Sequence, residues 1–351
     1  MIKKEELDRV LKNLSTTFSK NYDSIILCLS FSNEGDSFES YFGGIRFFEK
    51  NIILSIINPT QQELKNWEST IINYKVNNIF VDIEKRIPFE IVDYKASVKK
   101  HVEYSNIYSQ AIESFPNIDI NPWSSTEVTS EAALRYLRQD LGEDLSGKKV
   151  SIIGLGSIGF QIALSLIREG AEVSCFTRNI NTAIIKVNAI NLIKSKYTLA
   201  NLKLYTSLET TILSSPILIE CSSAIGSINK SLAHKFRLHN LILDLGKQAF
   251  TSDFILEIAK MDINFKRLDV SDVLQEKIAR KIYSKKYNKI HPQKFLFNKK
   301  VNLISGGWKG LPGDIVVDNA KNPNFIIGII KDNFKLDPIY KPFTEIDGII
   351  K

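Results

Sequence analysis

The sequence predicts an α/β protein in which a doubly wound parallel sheet follows a smaller leading α/β domain and precedes a β-rich C-terminal segment. Three observations predict this fold class. Apolar runs of strand length alternate with stretches of helical periodicity, first over residues 1–125 and again from Lys149. A glycine-rich turn opens the second series. The alternation then ends, and Gly/Pro turns separate the strands of residues 276–351.

The leading series predicts a small α/β domain over residues 1–125. Its apolar runs are continuous, as in strands that are covered on both faces. The stretch 117–125 contains a proline and turn formers, and we interpret it as a linker. A bridging helix within 126–145 follows, with Thr129 or Ser130 as its N-cap. The predicted strands are 24–31, 51–59 and 77–84, and the predicted helices are 2–20, 61–75 and 96–115.

The second series predicts six strands with short crossovers over residues 146–275, which is the count that a complete dinucleotide-binding sheet requires. A basic helix follows, and residues 276–351 form a separate helix and β-rich cap. The six predicted strands are 150–156, 172–178, 202–207, 217–223, 241–246 and 264–270.

The first turn of this series has the spacing G-L-G-S-I-G, with glycines at 154, 156 and 159. The first glycine permits a tight turn, the second lets the backbone approach a pyrophosphate, and the third lets the helix pack on the strand. The helix N-terminus, with Ser157 and Ile158, presents unpaired N–H groups to that pyrophosphate. We therefore expect a Rossmann domain that binds a dinucleotide through these five residues.

The residues after the second strand bear on which dinucleotide binds. NAD-selective sites usually place an acidic residue there, against the ribose 2′-hydroxyl. This chain has Thr177, Arg178 and Asn179 instead. A guanidinium can bind a 2′-phosphate, and its neighbours can donate further hydrogen bonds. NADP is the favoured cofactor, and NAD stays open because Arg178 can also be an ordinary loop arginine.

Later strand ends supply further candidates, because ligands of such sheets bind outside the carboxyl ends of the strands. Cys221, Ser222 and Ser223 follow the fourth strand and are expected near the nicotinamide ribose, and Asp244 ends the fifth strand and is counted with the cofactor contacts. For catalysis the candidates are Lys247, Asp269 and His291, which could hold an anionic substrate or exchange a proton.

Residues 145–270 resemble the cofactor domain of the D-isomer-specific 2-hydroxyacid dehydrogenases. The stretches that carry the resemblance are LSGKKVSIIGLGSIGFQIALSLIREGAEV, SSAIGSINKSLAHKF, LILDLGKQAFTSDFILEIAK and FKRLDV. The resemblance implies a cation after strand five, where Lys247 stands in place of the family's arginine. It also implies a histidine that exchanges the proton, for which His291 lies in the corresponding region, and an acid that orients it.

The architecture is also similar to that of shikimate dehydrogenase, which has a leading α/β domain, a bridging helix and a Thr-Arg-like phosphate clamp. Together these features favour an NADPH-dependent reduction of a small carbonyl or imine in biosynthesis. Two alternatives stay open. One is an NAD-dependent 2-hydroxyacid dehydrogenase, and the other is a dinucleotide-binding or scaffold protein without catalysis.

Composition limits the partners. Hydrophobic residues make up 44% of the chain and charged residues 24%, which is typical of a soluble globular protein. The formal net charge of +7 is spread along the chain without interleaved aromatics, so a nucleic-acid partner is not expected. No apolar run is long enough to span a membrane. Three dispersed cysteines in apolar runs favour neither a disulfide framework nor a metal site, and they suggest a cytoplasmic protein. A homodimer is left open.

Overall fold

The computed structural model describes residues 1–18, 21–30, 39–74, 76–84, 86–88, 104–246, 248–287, 293–298 and 301–350. Backbone contacts divide the chain into two compact units, residues 1–276 and 277–351. The first unit contains a five-stranded sheet, a six-stranded sheet and the two-stranded sheet β5-β6 (Arg86–Pro88 and Tyr104–Asn106), with their helices, and the second contains a five-stranded sheet of its own. The predicted fold class is confirmed.

The leading sheet has the strand order β2-β3-β1-β4-β7. Strands β3, β1, β4 and β7 run parallel, and β2 is antiparallel to β3 at one edge. Apolar side chains of these strands and of the helices pack into one core. The bounds are α1 Lys4–Phe18, β1 Ser24–Ser30, β2 Tyr41–Phe48, β3 Asn51–Ile57, α2 Gln61–Asn73, β4 Val76–Asp82, β5 Arg86–Pro88, β6 Tyr104–Asn106, α3 Ile107–Ser114 and β7 Asp119–Trp123.

Three expectations for this region are wrong. The helix predicted over 96–115 is replaced in part by a strand, because residues 104–106 form β6 and α3 begins at Ile107, while residues 96–103 lie outside the described residues. The stretch interpreted as a linker forms β7, which pairs with β4 from Asn78–Asp119 to Asp82–Trp123. Pro122 is tolerated there because β7 is an edge strand. The bridging helix α4 spans Ser125–Leu141, and its N-cap is Ser124, whose hydroxyl accepts from the Glu127 amide at 2.9 Å. Thr129 and Ser130, the predicted caps, lie inside the helix.

The second sheet has six parallel strands in the order β10-β9-β8-β11-β12-β13. In chain order this is 3-2-1-4-5-6, the arrangement of a Rossmann sheet, whose direction of winding reverses between β8 and β11. The bounds are β8 Lys149–Ile153, α5 Ser157–Arg168, β9 Glu172–Phe176, α6 Ile180–Ile193, β10 Leu202–Leu204, α7 Leu208–Leu213, β11 Ile217–Glu220, a 3₁₀ helix Lys230–Phe236, β12 Leu241–Asp244, α8 Ser252–Ile258, β13 Asn264–Arg267 and α9 Ser271–Tyr287.

The unit of residues 277–351 is β-rich, as the sequence predicts. Its sheet has the order β14-β15-β16-β17-β18, in which only the β15–β16 pair is parallel among the described strands. A small apolar cluster that includes Leu303, Ile326 and Ile346 forms its core. The bounds are β14 Gln293–Phe297, β15 Val301–Ser305, β16 Ile315–Val317, β17 Phe325–Ile330, β18 Leu336–Pro342 and a 3₁₀ helix Phe343–Gly348. Within the described residues of the whole chain, no helix has the length and apolar character needed to cross a bilayer.

Candidate functional site

Two of the three glycines in the turn after β8 are required by the protein's own packing. Gly154 has a φ of +92°, and a Cβ there would lie 2.7 Å from Cα of Ser222. A Cβ on Gly159 would overlap the carbonyl oxygen of Gly154. These two glycines therefore let the turn, α5 and the end of β11 meet at close range.

Gly156 is different. Its backbone is extended, and a Cβ on it would meet no heavy atom within 4 Å. Gly156 is the N-cap of α5 but has no side chain to cap it, and the first bond along the helix runs from the Phe160 amide to the Gly156 carbonyl at 2.9 Å. The space beside Gly156 and the unpaired N–H groups at the start of α5 suit a phosphate group that comes close to the backbone.

Cys221 holds the turn from the side of β11. Its amide donates to Ile153 O at 2.9 Å, and its thiol donates to Gly154 O at 3.0 Å. Burial raises the pKa of the Cys221 thiol, so the group stays a neutral donor. The thiol thus has a structural contact with the glycine turn in addition to facing the cavity described next.

A cavity of about 340 Å³ opens at the carboxyl edge of the second sheet, and we call it the glycine-turn pocket. It lies at the reversal of winding, where doubly wound sheets bind their ligands. It brings together eight of the predicted cofactor residues: Gly154, Gly156, Thr177, Arg178, Asn179, Cys221, Ser222 and Ser223. The other lining residues were not predicted from the sequence: Ile153, Leu155, Phe176, Thr182, Ala183, Lys186, Leu208, Ala224 and Ser227.

The pocket is positively charged. Arg178 is exposed beside it and forms no ion pair with a described residue. Lys186, on α6, also lines the pocket, and its ammonium donates to Leu155 O at 2.7 Å. No Asp or Glu is among the described lining residues. Lys186 could have been found from helical spacing, because it stands four residues after Thr182 on the same helix face.

Asn179 has a local task as well. Its side-chain oxygen caps α6 by accepting from the Thr182 amide at 3.1 Å. The side-chain NH2 group of Asn179 is a further donor, and the residue lines the pocket together with Thr177 and Arg178.

A buried carboxyl group lies next to the pocket and was not predicted. Glu220 ends β11 with no exposed surface, and its Oε1 accepts from Ser222 N at 2.8 Å and from Ser222 Oγ at 2.5 Å. Oε2 is buried without a hydrogen-bond partner among the described residues. Burial raises the pKa of Glu220 to about 7, against the lowering effect of the Ser222 bonds, and Asp244 raises it further. A charged residue closing the apolar run ILIE was the signal for it.

The other predicted cofactor residues do not line the pocket. Ser157, Ile158 and Gly159 form the first turn of α5, directly after Gly156, and none of the three is among the residues that line the pocket. Asp244 is half-buried at the end of β12, paired in register with Glu220, and is not among the residues that line the pocket.

The three catalytic candidates are not gathered in the pocket. The Asp269 carboxylate accepts from the amide and the hydroxyl of Ser271 at the start of α9. These bonds lower the pKa of Asp269 and keep it ionised. Lys247 and His291 lie outside the described residues.

The leading sheet also collects polar groups at the carboxyl ends of its strands. Asp82 is fully buried at the end of β4 and accepts from Ser30 Oγ, at the end of β1, at 3.1 Å. It also accepts from the Glu84 amide at 3.1 Å. Among the described residues, no group of three metal-ligating side chains is found here or elsewhere.

No protein-family model and no curated protein sequence matches the chain. The proteins that do match are solved structures with a similar arrangement of the backbone. Shikimate 5-dehydrogenase from Listeria monocytogenes, solved with shikimate and NAD, matches at 14% identity over 75% of this chain and 92% of that one, with a TM-score of 0.41. L-Tryptophan dehydrogenase from Nostoc punctiforme matches at 12% identity over 76% and 75%, with a TM-score of 0.42. D-Lactate dehydrogenase from Lactobacillus jensenii, solved with NAD+, matches at 14% identity over 58% and 62%, with a TM-score of 0.31. Both kinds of dehydrogenase that the sequence resembles are thus among the matching structures.

Proposed function

We propose that the protein is an NADP-dependent oxidoreductase that reduces a small carbonyl or imine. One observation carries the proposal: the reversal point of a 3-2-1-4-5-6 parallel sheet opens onto a pocket with two cations and no described carboxylate. A carboxylate at the end of β9 would repel a 2′-phosphate, whereas Arg178 attracts it.

The residues fit a dinucleotide at three places. The open side of Gly156 and the N-terminus of α5 suit the pyrophosphate. Thr177 and Arg178 suit the phosphorylated ribose, with the amide of Asn179 as a further donor. Ser222 and Ser223, at the end of β11, suit the nicotinamide ribose.

Bound NADPH would supply the hydride, and the chain has to supply a proton and hold the substrate. Because its pKa is raised to about 7, Glu220 can both take up and release a proton near neutral pH, and its bond to the Ser222 hydroxyl connects it to the pocket. The pair can therefore store a proton beside the expected nicotinamide end. Lys247, Asp269 and His291 stay our candidates for substrate binding and proton exchange, with substrate contacts from the leading sheet near Ser30 and Asp82.

The cofactor assignment is tested by fluorescence titration with NADPH and NADH. We expect the wild type to bind NADPH more tightly. Arg178→Ala should lower the affinity for NADPH about tenfold and leave the affinity for NADH nearly unchanged, because it removes a charge-assisted bond to the 2′-phosphate. Arg168→Ala is the matched control, since Arg168 is an exposed arginine at the far end of α5 and does not line the pocket. Equal affinities that Arg178→Ala leaves unchanged would overturn NADP selection.

Catalysis is tested by following NADPH absorbance with a panel of 2-oxo acids, ketones and cyclic imines. Turnover of any of them supports the oxidoreductase. Oxidation of 2-hydroxy acids with NAD would favour the 2-hydroxyacid dehydrogenase alternative. Tight NADPH binding without hydride transfer to any compound would favour a binding protein, the alternative in which Asp269 serves only to start α9.

A further inference from the structure

We infer that Lys186 is a second phosphate-binding cation of the glycine-turn pocket and that it helps Arg178 to select the phosphorylated ribose. This inference rests on the proposed function and assigns the specificity of the same site to a residue outside the strand-end position where cofactor choice is usually read.

The position of Lys186 carries the inference. The residue stands on α6, and its ammonium reaches back to Leu155 O, the carbonyl between the first two glycines of the turn, at 2.7 Å. Arg178 stands at the N-terminal side of the same helix. The pocket therefore has one cation above the turn and one at the end of β9, and both line it.

The charges around Lys186 point to an anionic ligand. A lysine side chain of this kind is commonly paired with a carboxylate, yet the bond to Leu155 O is the only one that Lys186 makes within the described residues, and its acceptor is an uncharged carbonyl. An ammonium has three donors, so two are left for a phosphate oxygen. The side chain is half-buried, which reduces screening by water and makes a bond to phosphate stronger than it would be on an open surface.

A purely structural task for Lys186 makes a different prediction. If the lysine only braces the glycine turn, its loss should weaken every nucleotide equally, since all of them need the turn. If it binds the 2′-phosphate, its loss should weaken only nucleotides that carry that group. Two fragments separate these cases, because 2′,5′-ADP and 5′-AMP differ by the 2′-phosphate alone.

The experiment is calorimetric titration of both fragments into the full-length wild type, Lys186→Gln, Lys186→Arg and Lys194→Gln. Glutamine keeps an N–H donor for Leu155 O but removes the charge, and arginine keeps the charge. Lys194 is the matched control, because it stands on the C-cap of α6 and donates to the carbonyls of Thr198 and Ala200 but does not line the pocket.

We expect Lys186→Gln to weaken the binding of 2′,5′-ADP about tenfold and the binding of 5′-AMP by less than about twofold. Lys186→Arg should restore most of the loss, and Lys194→Gln should bind like the wild type. Equal weakening of both fragments, or no weakening of either, overturns the inference and leaves the proposed function standing if the wild type prefers 2′,5′-ADP. A wild type that binds neither fragment nor NADPH overturns both.

Discussion

The three glycines of the turn after β8 differ in what a Cβ atom would contact if each were replaced by a larger residue. Gly154 and Gly159 are glycine because protein atoms occupy the place of a side chain. Gly156 has open space there and an extended backbone, so packing does not explain its identity. A ligand that approaches the backbone does explain it.

This division predicts opposite effects for two alanine variants. Gly156→Ala should change the free energy of unfolding by no more than about 1 kcal/mol, the usual range for a helix N-cap. The same substitution should weaken the binding of NADPH and of NADH by at least about tenfold, because the methyl group enters the space for the pyrophosphate. Gly159→Ala should cost about 3 kcal/mol of stability, because its Cβ meets a backbone oxygen. Urea denaturation and fluorescence titration measure the two quantities. Normal binding by a stable Gly156→Ala protein would contradict a pyrophosphate at this turn.

At the scale of elements, the start of α4 is set by a single cap. Ser124 accepts from the Glu127 amide, whereas the Thr129 hydroxyl donates to the Ser125 carbonyl inside the helix. Ser124→Ala should therefore destabilise the protein by about 1 kcal/mol, and Thr129→Ala should change stability by a few tenths at most. Urea denaturation of the two variants compares them. A larger loss for Thr129→Ala would mean that the helix begins later than Ser125.

The elements also show what the sequence can predict and why it fails elsewhere. Continuous apolar runs predict β1, β3 and β4 and the four inner strands of the second sheet, because most side chains on both faces of these strands are buried. Strands β2 and β7 were not predicted, since edge strands need less apolar surface and β7 contains Pro122. Their formation depends on partner strands that are distant in the chain. The glycine turn and Arg178 were predicted because they follow strand ends. Lys186 and Glu220 were missed, because helical spacing from Thr182 and a charged end to an apolar run do not by themselves place a residue beside the pocket.

At the scale of the whole molecule, the stability of the first unit depends on pH through two buried groups, Glu220 and His239, which act in opposite directions. The folded state raises the pKa of Glu220 from 4.5 to about 7, so it holds a proton that the unfolded state releases. Its stabilising effect is complete below pH 4.5 and is lost as the pH rises through 7. Burial lowers the pKa of His239 from 6.5 to about 4. The unfolded state binds that proton first, so stability falls as the pH drops from 6.5 towards 4.

Between pH 4.5 and 6.5 the two groups change the free energy of unfolding in opposite directions. A variant that removes one group should therefore show the pH dependence that this group contributes. As the pH rises from 4.5 to 7.5, the free energy of unfolding of Glu220→Gln should increase by on the order of 3 kcal/mol relative to that of the wild type, because the amide has no proton to lose. The centroids of the His239 and Phe236 rings are 4.8 Å apart, and His239→Phe keeps an aromatic side chain at that position. As the pH falls from 7.5 to 4.5, its free energy of unfolding should increase by a similar amount relative to that of the wild type. Urea denaturation at four pH values measures both differences, and the other ionisable groups cancel because all three proteins share them. A difference that stays constant with pH for either variant would mean that its group titrates alike in the folded and unfolded chains, and for Glu220 it would remove the proton store proposed beside the pocket.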